Sequence, residues 1–251
     1  MRLDTLAAYL DQYLRITEEV ADPPEALNGL QVANAGDVTR LAAAVDLCAA
    51  TVRLAGAERA DLLVVHHGLF WGGLRPLTGP FYDRVAGLLR SNIALYAAHL
   101  PLDRHPDVGN NSQLARLLGI TVRGEFGSYR GAPIGVWGER SGTREELGRA
   151  LEQALGGAAR LLPFGPERVQ RIGIVTGAGG SLIPQAAAAG LDTYITGEGQ
   201  HWTYFDAEEL RLNVFYAGHY ATETIGVKAL AAHISKKFDL PWVFLDHPTG
   251  L

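Results

Sequence analysis

Two adjacent histidines, His66 and His67, follow the apolar segment DLLVV (61–65). A short apolar run of this kind is typical of a buried strand. Consecutive side chains of a strand point to opposite faces, so we expect both imidazoles to converge only if the strand has already ended in a loop, which Gly68 permits. One histidine at a strand end is ordinarily a hydrogen-bonded loop residue, whereas an adjacent pair also indicates metal binding.

Two further histidines are each followed, four residues later, by a carboxylate. His99 precedes Asp103 in "AAHLPLD", and His219 precedes Glu223 in "GHYATE". Residues four apart share one face of a helix, so His219 and Glu223 point together if a helix begins near Tyr220. Imidazoles and carboxylates without thiolates suit zinc, manganese or iron. These imidazoles and carboxylates are more ligands than a single ion usually takes from a protein. They therefore predict two ions about 3.5–4 Å apart, bridged by a carboxylate.

Strand and helix patterns alternate along the chain, which predicts an α/β fold. Apolar residues at helical spacing predict a first helix over 3–16. Thr143 and Glu146 form a capping box that begins another helix, and Gly156 ends it. The other expected strands are 40–46, 61–65, 93–99 and 133–139, and the other expected helices are 48–57, 82–90 and 110–118.

The pattern of the first half returns in the second half. Residues 171–198 repeat 40–67, each as a strand, a helix of small residues, an aspartate and a second strand. Residues 213–223 repeat 93–103, each as a strand followed by a histidine and a carboxylate. Internal similarity of this kind indicates a duplicated unit.

This duplication defines the architecture that we predict. The fold class is α/β, with two intertwined repeats (1–125 and 126–251), mixed sheets and a metal site at the strand ends between them. Sites in open α/β sheets form at the carboxyl ends of strands. The His66–His67 pair aligns with Glu198 and the residue before it, so Glu198 belongs to the candidate site.

Five motifs are similar to those of a known family. "VVHHGLFW", "AAHLPLD", "GAGGSLI", "TGEGQHW" and "GHYATE" occur in this order, as they do in the type 2 GTP cyclohydrolase I homologue family. That family also takes a name from a yeast transcription-factor-interacting protein. The resemblance covers nearly the whole chain. "NGLQV" (28–32) is similar to an early family segment, although Leu27 stands where the family has aspartate.

The resemblance implies a centre of two divalent metal ions, Zn, Mn or Fe. Its implied ligands are His66, His67, Asp103, His219 and Glu223, with Glu223 as the bridge. It also implies a homo-oligomer, a hexameric ring with its sites facing an inner cavity. The chain is too short for the extra middle domain of some family members, so it resembles their compact form.

Three residues near this ligand set are candidates for catalysis: His99, Glu198 and His201. His99 is not an implied ligand and is expected to contact the substrate or a ligand. Glu198 and His201 are candidate acids or bases, with the orientation of a ligand histidine as the alternative for Glu198. The remaining histidines are expected at the surface or in packing: His105, His233 and His247.

The loop "TGAGGS" (176–181) follows a strand and precedes a helix, where a phosphate can bind at the helix amino end. The dinucleotide pattern G-x-G-x-x-G fails because Leu182 stands where the third glycine belongs. Phosphate binding and a plain tight turn both stay open for Gly177–Ser181.

Composition excludes several classes of protein. The net charge is −5 and no basic block stands out, so we expect no nucleic-acid partner. A single cysteine, Cys48, rules out an internal disulfide. No stretch reaches the roughly 18 apolar residues of a spanning helix, and the first helix lacks a signal-peptide pattern. We therefore expect a cytoplasmic protein with no membrane partner.

The function expected from these features is metal-dependent hydrolysis of a nucleotide or related small molecule. Two divalent ions lower the pKa of a shared water, so that hydroxide forms near neutral pH. Opening of a purine ring is what the family name implies. The alternative is a non-catalytic metal-binding or regulatory interaction module. A third possibility is a nucleotide-binding fold that uses the "TGAGGS" loop and in which the histidines are structural.

Overall fold

The computed structural model describes residues 1–16 and 22–250. The chain forms two compact units. The first contains Met1–Leu102 and Val227–His247, and the second contains Asp103–Gly226 and the end of the chain from Pro248. The return of the chain to the first unit is the intertwining that the sequence predicts. The repeat limits 1–125 and 126–251 were drawn from the sequence duplication, whereas the two units are defined by compactness. The repeat limits therefore stay a prediction.

Strands and helices alternate, as an α/β fold requires. The strands are β1 (Gly29–Val32), β2 (Leu41–Asp46), β3 (Leu62–His67), β4 (Ala94–Ala97), β5 (Thr121–Tyr129), β6 (Ala132–Thr143), β7 (Arg160–Pro163), β8 (Arg168–Val175), β9 (Thr193–Thr196), β10 (Asn213–Tyr216) and β11 (Trp242–Phe244). The helices are α1 (Leu3–Tyr13), α2 (Ala49–Ala57), α3 (Gly79–Arg90), α4 (Leu100–Asp103), α5 (Asn110–Leu117), α6 (Arg144–Leu155), α7 (Ile183–Ala188), α8 (Thr203–Glu209) and α9 (His219–Phe238).

The first unit is built on a five-stranded mixed sheet in the order β1-β4-β3-β2-β11. The strands β4, β3, β2 and β11 are parallel, and β1 pairs antiparallel with β4 at one edge. The first five residues of both β2 and β3 are buried, because parallel strands are covered on both faces. This explains their nearly continuous apolar sequences. Asp46, His67 and Ala97 end neighbouring parallel strands at one edge of this sheet.

The second unit is built on a six-stranded mixed sheet in the order β5-β6-β8-β9-β10-β7. Its central strands β8, β9 and β10 are parallel, and β7 pairs antiparallel with β10. The predicted capping box of α6 is present: the Thr143 side chain accepts from the Glu146 N–H, and Gly156 ends the helix at φ 75°. Among the described residues, no helix combines the length and apolar character needed to cross a bilayer.

The two units share a hydrogen-bonding feature that supports the duplication. Asp61 Oδ2 accepts from the main-chain N–H groups of Thr39 and Arg40 at 2.7 and 3.1 Å. Asp192 Oδ2 accepts from those of Gln170 and Arg171 at 2.9 and 2.7 Å. Each aspartate thus ties the start of its own parallel strand to the start of the neighbouring strand. The aspartate that recurs in the sequence therefore does the same structural work twice.

One local expectation is wrong. β3 does not end before the histidine pair but continues through His66 and His67. The reason is that β2 runs alongside to the same length: Asp46 pairs with His67, and the Leu47 N–H donates to the His67 carbonyl at 2.9 Å. Main-chain pairing therefore keeps the pair extended, and the turn begins at Gly68.

We expect Asp61→Ala and Asp192→Ala each to lower the free energy of unfolding by about 1–2 kcal/mol, because main-chain N–H groups lose a charged acceptor. The measurement is urea unfolding followed by circular dichroism. Asp83→Ala, at an exposed position of α3, is the matched control and should change stability by less than about 0.5 kcal/mol. If the two aspartate variants behave like this control, the recurring aspartate does not stabilise either sheet.

Candidate metal centre

Three histidines of the first unit lie together, two at the carboxyl end of β3 and one just after β4. The ring centroids of His66 and His67 are 4.7 Å apart, and His99 lies 4.9 Å from His66 and 5.6 Å from His67. One nitrogen of each ring lies within 4.8 Å of one nitrogen of each of the other two, so the three rings could hold a metal ion. His66 is buried and the other two are half-buried. We call this group the three-histidine cluster.

His66 and His67 are held through Nδ1 by opposite neighbours of β3. Nδ1 of His66 donates to the Ala98 carbonyl, just after β4, at 2.9 Å. Nδ1 of His67 donates to Asp46 Oδ1, at the end of β2, at 2.8 Å. A carbonyl or carboxylate oxygen only accepts, so the proton of the neutral ring is on Nδ1 and the lone pair is on Nε2. Protein partners orient metal-ligating histidines in this way.

His99 is oriented by a buried carboxylate. Its Nδ1 lies 2.6 Å from Asp22 Oδ1, and its main-chain N–H donates to Asn28 Oδ1 at 2.7 Å. Burial raises the pKa of Asp22, but hydrogen bonds from His99, Asn28 and the Leu100 N–H outweigh it and hold that pKa below its usual value. The Trp71 ring packs edge-on against His99, with 4.6 Å between centroids. His99 is thus presented in the same way as the histidine pair.

The "NGLQV" segment fixes the turn after the histidine pair. Gln31 Oε1 accepts from the Leu69 N–H at 2.7 Å, and Gln31 Nε2 donates to the carbonyls of Ala26 and Leu27 at 3.1 and 2.8 Å. A side chain at Gly68 would collide with the Gln31 amide. The segment therefore supports the three-histidine cluster although it contributes none of its imidazoles.

In the second unit, His219 lies between two carboxylates at the start of α9. Its Nδ1 is 2.8 Å from Glu198 Oε1, and its Nε2 is 3.1 Å from Glu223 Oε1. The hydrogen bond with Glu223 and the charges of both carboxylates outweigh desolvation and raise the pKa of His219 to about 9. The expected pairing of His219 with Glu223 is confirmed. Glu198 makes the orienting contact that was one of its two alternatives.

Asp103, a further ligand candidate, is buried in the same unit. Its Oδ1 accepts from Asn110 Nδ2 at 2.8 Å and from Thr176 Oγ1 at 3.2 Å. Asn110 Oδ1 in turn accepts from the Gly226 N–H at 2.6 Å. Gly226 lies one helical turn beyond Glu223 in α9. The Asn110 side chain therefore connects the Asp103 carboxylate to the helix that carries Glu223.

The glycine loop 176–181 packs against the Glu223 carboxylate and does not form a phosphate site. Gly177 has φ 67°, and a side chain there would collide with Glu223 Oε1. The N–H groups of Gly177, Gly179 and Gly180 donate to protein oxygens at 3.0–3.1 Å, so they are already used. The structure therefore favours the tight-turn alternative for Gly177–Ser181.

The other histidines lie elsewhere. Among the described residues, the candidate metal-binding groups do not include His201, whose ring packs against Phe205 at 5.8 Å. His105 is buried and its Nδ1 accepts main-chain N–H groups. His233 bonds to a tyrosine hydroxyl at 2.6 Å, and His247 is exposed. The structure thus places His105, His233 and His247 in packing or surface positions.

Apart from Glu198, sequence reasoning missed the side chains that orient the imidazoles. Asp46 ends a strand that was correctly predicted, so the rule that polar residues at strand ends form sites could have found it. Asp22 lies in a proline-rich stretch without periodicity, and no signal in the sequence points to it. Asn28 and Asn110 are likewise recognised only through their contacts.

Comparison with known proteins decides the family. A family model described as Duf34/NIF3 (NGG1p interacting factor 3) matches residues 1–249. The chain belongs to this family. A Duf34/NIF3 relative from Deinococcus radiodurans, named GTP cyclohydrolase 1 type 2 homolog, is 44% identical over 250 residues, which cover 99% of this chain and 94% of that protein. The resemblance drawn from the five motifs is thereby confirmed.

Solved structures agree with this assignment to the Duf34/NIF3 family. TTHA1606 from Thermus thermophilus superposes with a TM-score of 0.91 at 44% identity, and all of both chains is covered. The protein ybgI, described as of unknown function, gives a TM-score of 0.91 at 38% identity, again with both chains fully covered. The α/β fold with mixed sheets is therefore that of the family.

We expect the imidazole of His219 in the metal-free protein to titrate near pH 9, as measured by NMR of the ring protons. Because the folded pKa is above the ordinary value of about 6.5, the stability it contributes is complete below pH 6.5 and is lost as the pH rises through 9. Glu223→Gln should move the midpoint down towards 6.5. A midpoint near 6.5 in the unaltered protein would show that the carboxylates do not hold the imidazolium.

Proposed function

We propose that this protein is a divalent-metal-dependent hydrolase that acts on a nucleotide or a related small molecule. The observation that carries the proposal is the shared orientation of four imidazoles, each held at Nδ1 by an oxygen acceptor. Metal-ligating histidines almost always donate their other ring N–H to such an acceptor, and three of these four imidazoles belong to the ligand set proposed below. The four are His66, His67, His99 and His219.

We propose as metal ligands the set that the family resemblance implies: His66, His67, Asp103, His219 and Glu223. The donor chemistry fits, because imidazoles and buried carboxylates suit Zn, Mn or Fe. Glu223 is 3% exposed and Asp103 is 6% exposed, and buried carboxylates require a cation or hydrogen bonds to offset desolvation. That these five residues serve two ions, with Glu223 as the bridge, rests on the resemblance.

Divalent ions bound by these residues would supply Lewis acidity and an activated water near neutral pH. The chain itself supplies orientation and proton transfer. Asp46 and Asp22 keep the protons of His67 and His99 on Nδ1, and Glu198 does the same for His219. We assign proton donation to a leaving group to the exposed imidazole of His201, because the Glu198 carboxylate is engaged by His219.

The substrate class follows from two kinds of support. The curated relatives are named as homologues of a GTP cyclohydrolase, which points to a purine nucleotide. The ligand chemistry is equally suited to phosphoester or amide hydrolysis, and a family name can spread without the activity. GTP, the other nucleoside triphosphates and simple phosphoesters therefore belong in one panel.

The experiment is metal quantification followed by this panel. Protein reconstituted with Mn, Zn or Fe(II) should turn over at least one compound, and chelation should abolish that turnover. A full metal complement with no turnover across the panel would contradict the hydrolase and favour the metal-binding or regulatory module. Absence of stoichiometric metal would contradict both functions.

Glu223→Gln should remove at least one metal ion per chain, because the proposed bridge loses its charge while keeping its shape. Mass spectrometry of the intact protein under non-denaturing conditions gives the ion count. Glu209→Gln, at an exposed position of α8, is the matched control and should keep the full count. If Glu223→Gln retains two ions per chain, the bridging role is wrong.

A further inference from the structure

A cleft of about 340 Å³ opens in the second unit. It is lined by the start of β7, the turn before α8, the first residues of α8 and the end of β10. The lining residue Gly199 directly follows Glu198 in the chain, and Tyr216 lies three residues before His219. The cleft is therefore built from the segments that carry the Glu198–His219 pair. Its volume is in the range of small-molecule sites.

Aromatic side chains form one side of this cleft. Tyr204 and Phe205 are 36% and 48% exposed, and their rings meet edge-to-face with 5.5 Å between centroids. Phe164 holds Tyr204 edge-on at 5.2 Å, and His201 packs against Phe205. Because both side chains remain partly exposed, each has ring surface available to a planar ligand, which aromatic rings bind by stacking or by edge contacts.

Arg160 supplies the cationic part of the cleft. Of the described residues that line it, Arg160 alone carries a fixed charge. Burial raises the pKa of Tyr216, whereas the Thr203 hydrogen bond and the positive charge of Arg160 act in the opposite direction. The guanidinium field thus reaches the Tyr216 hydroxyl. A guanidinium binds phosphate or carboxylate through two parallel hydrogen bonds.

A glycine keeps the back of the cleft open. A Cβ at position 199 would lie 2.6 Å from Tyr216 Oη and 2.7 Å from Thr203 Oγ1. These two hydroxyls lie 2.6 Å apart, and Gln200 adds an amide to the same lining. The Tyr216 and Thr203 hydroxyls and the Gln200 amide can therefore form hydrogen bonds with the edge of a bound ring. They lie in the same cleft as the aromatic side chains and Arg160.

We propose that this cleft binds a planar heteroaromatic ring that carries an anionic group, as a nucleoside monophosphate does. The ring stacks on Phe205 and meets Tyr204 edge-on, because the two side chains are nearly perpendicular, and the anionic group pairs with Arg160. The role of the cleft in catalysis rests on the proposed function, because the cleft would then bind the part of the hydrolase substrate that does not react. Binding itself is a separate property of the cleft.

Isothermal titration calorimetry of the metal-loaded protein with GMP, guanosine and inorganic phosphate tests the proposal. GMP should bind more tightly than guanosine or phosphate alone, because only GMP engages both sides. Arg160→Gln should weaken GMP about tenfold or more and leave guanosine unchanged. Phe205→Ala should weaken GMP and guanosine by equal factors.

Matched controls are Arg149→Gln, an exposed arginine of α6, and Tyr129→Ala, an exposed aromatic of β5. Both should bind GMP as the unaltered protein does. Metal content and circular dichroism are measured for every variant, so that loss of folding is separated from loss of binding.

Four results would overturn the proposal that this cleft binds the ligand. GMP affinity could be unchanged by both cleft variants, or GMP could fail to bind. Phe205→Ala could instead dissociate the protein in sedimentation without changing GMP affinity, which would make the aromatic side a contact between copies of the chain. GMP affinity that depends on Glu223 and not on Arg160 would overturn the cleft while leaving the hydrolase intact. Cleft binding without turnover in the panel would contradict the hydrolase alone.

Discussion

A hydrogen bond at Nδ1 is the interaction on which the candidate metal centre depends. An imidazole can present either nitrogen, and the choice is made by what the other nitrogen contacts. In this protein the acceptor is the Ala98 carbonyl for His66 and a carboxylate for His67, His99 and His219. For His66, His67 and His99 the acceptor both fixes the ring and keeps the lone pair of the neutral imidazole on Nε2, whereas the His219 ring is fixed between two carboxylates. Without these contacts the same histidines would be ordinary polar residues at strand ends.

The parallel sheets explain how residues distant in sequence supply these contacts. Neighbouring parallel strands end at one edge, so Asp46 at the end of β2 reaches His67 at the end of β3. The duplication then places His99 and His219 after equivalent strands, but it does not reproduce the source of their carboxylates. Asp22 comes from the segment before β1, whereas Glu198 follows β9. The repeated element is the histidine, and each unit supplies its own orienting group.

Much of this arrangement can be predicted from the sequence because it is local. Apolar runs predict the strands, the capping box predicts the start of α6, and four-residue spacing predicts the His219–Glu223 pair. The predicted end of β3 is wrong because main-chain pairing with β2, which is a tertiary contact, extends the strand through His67. Asp22 was missed for the same reason, since only the folded chain brings it to His99. Spacing therefore finds the ligand candidates, and their supporting residues require the structure.

The most direct test is an anomalous diffraction map from a crystal grown with Mn²⁺ or Zn²⁺, which shows the nitrogen that binds each ion. The orientation described above predicts peaks about 2.0–2.3 Å from Nε2 of His66, His67 and His219. Peaks bonded to Nδ1, or ions bound away from these three rings, would contradict it.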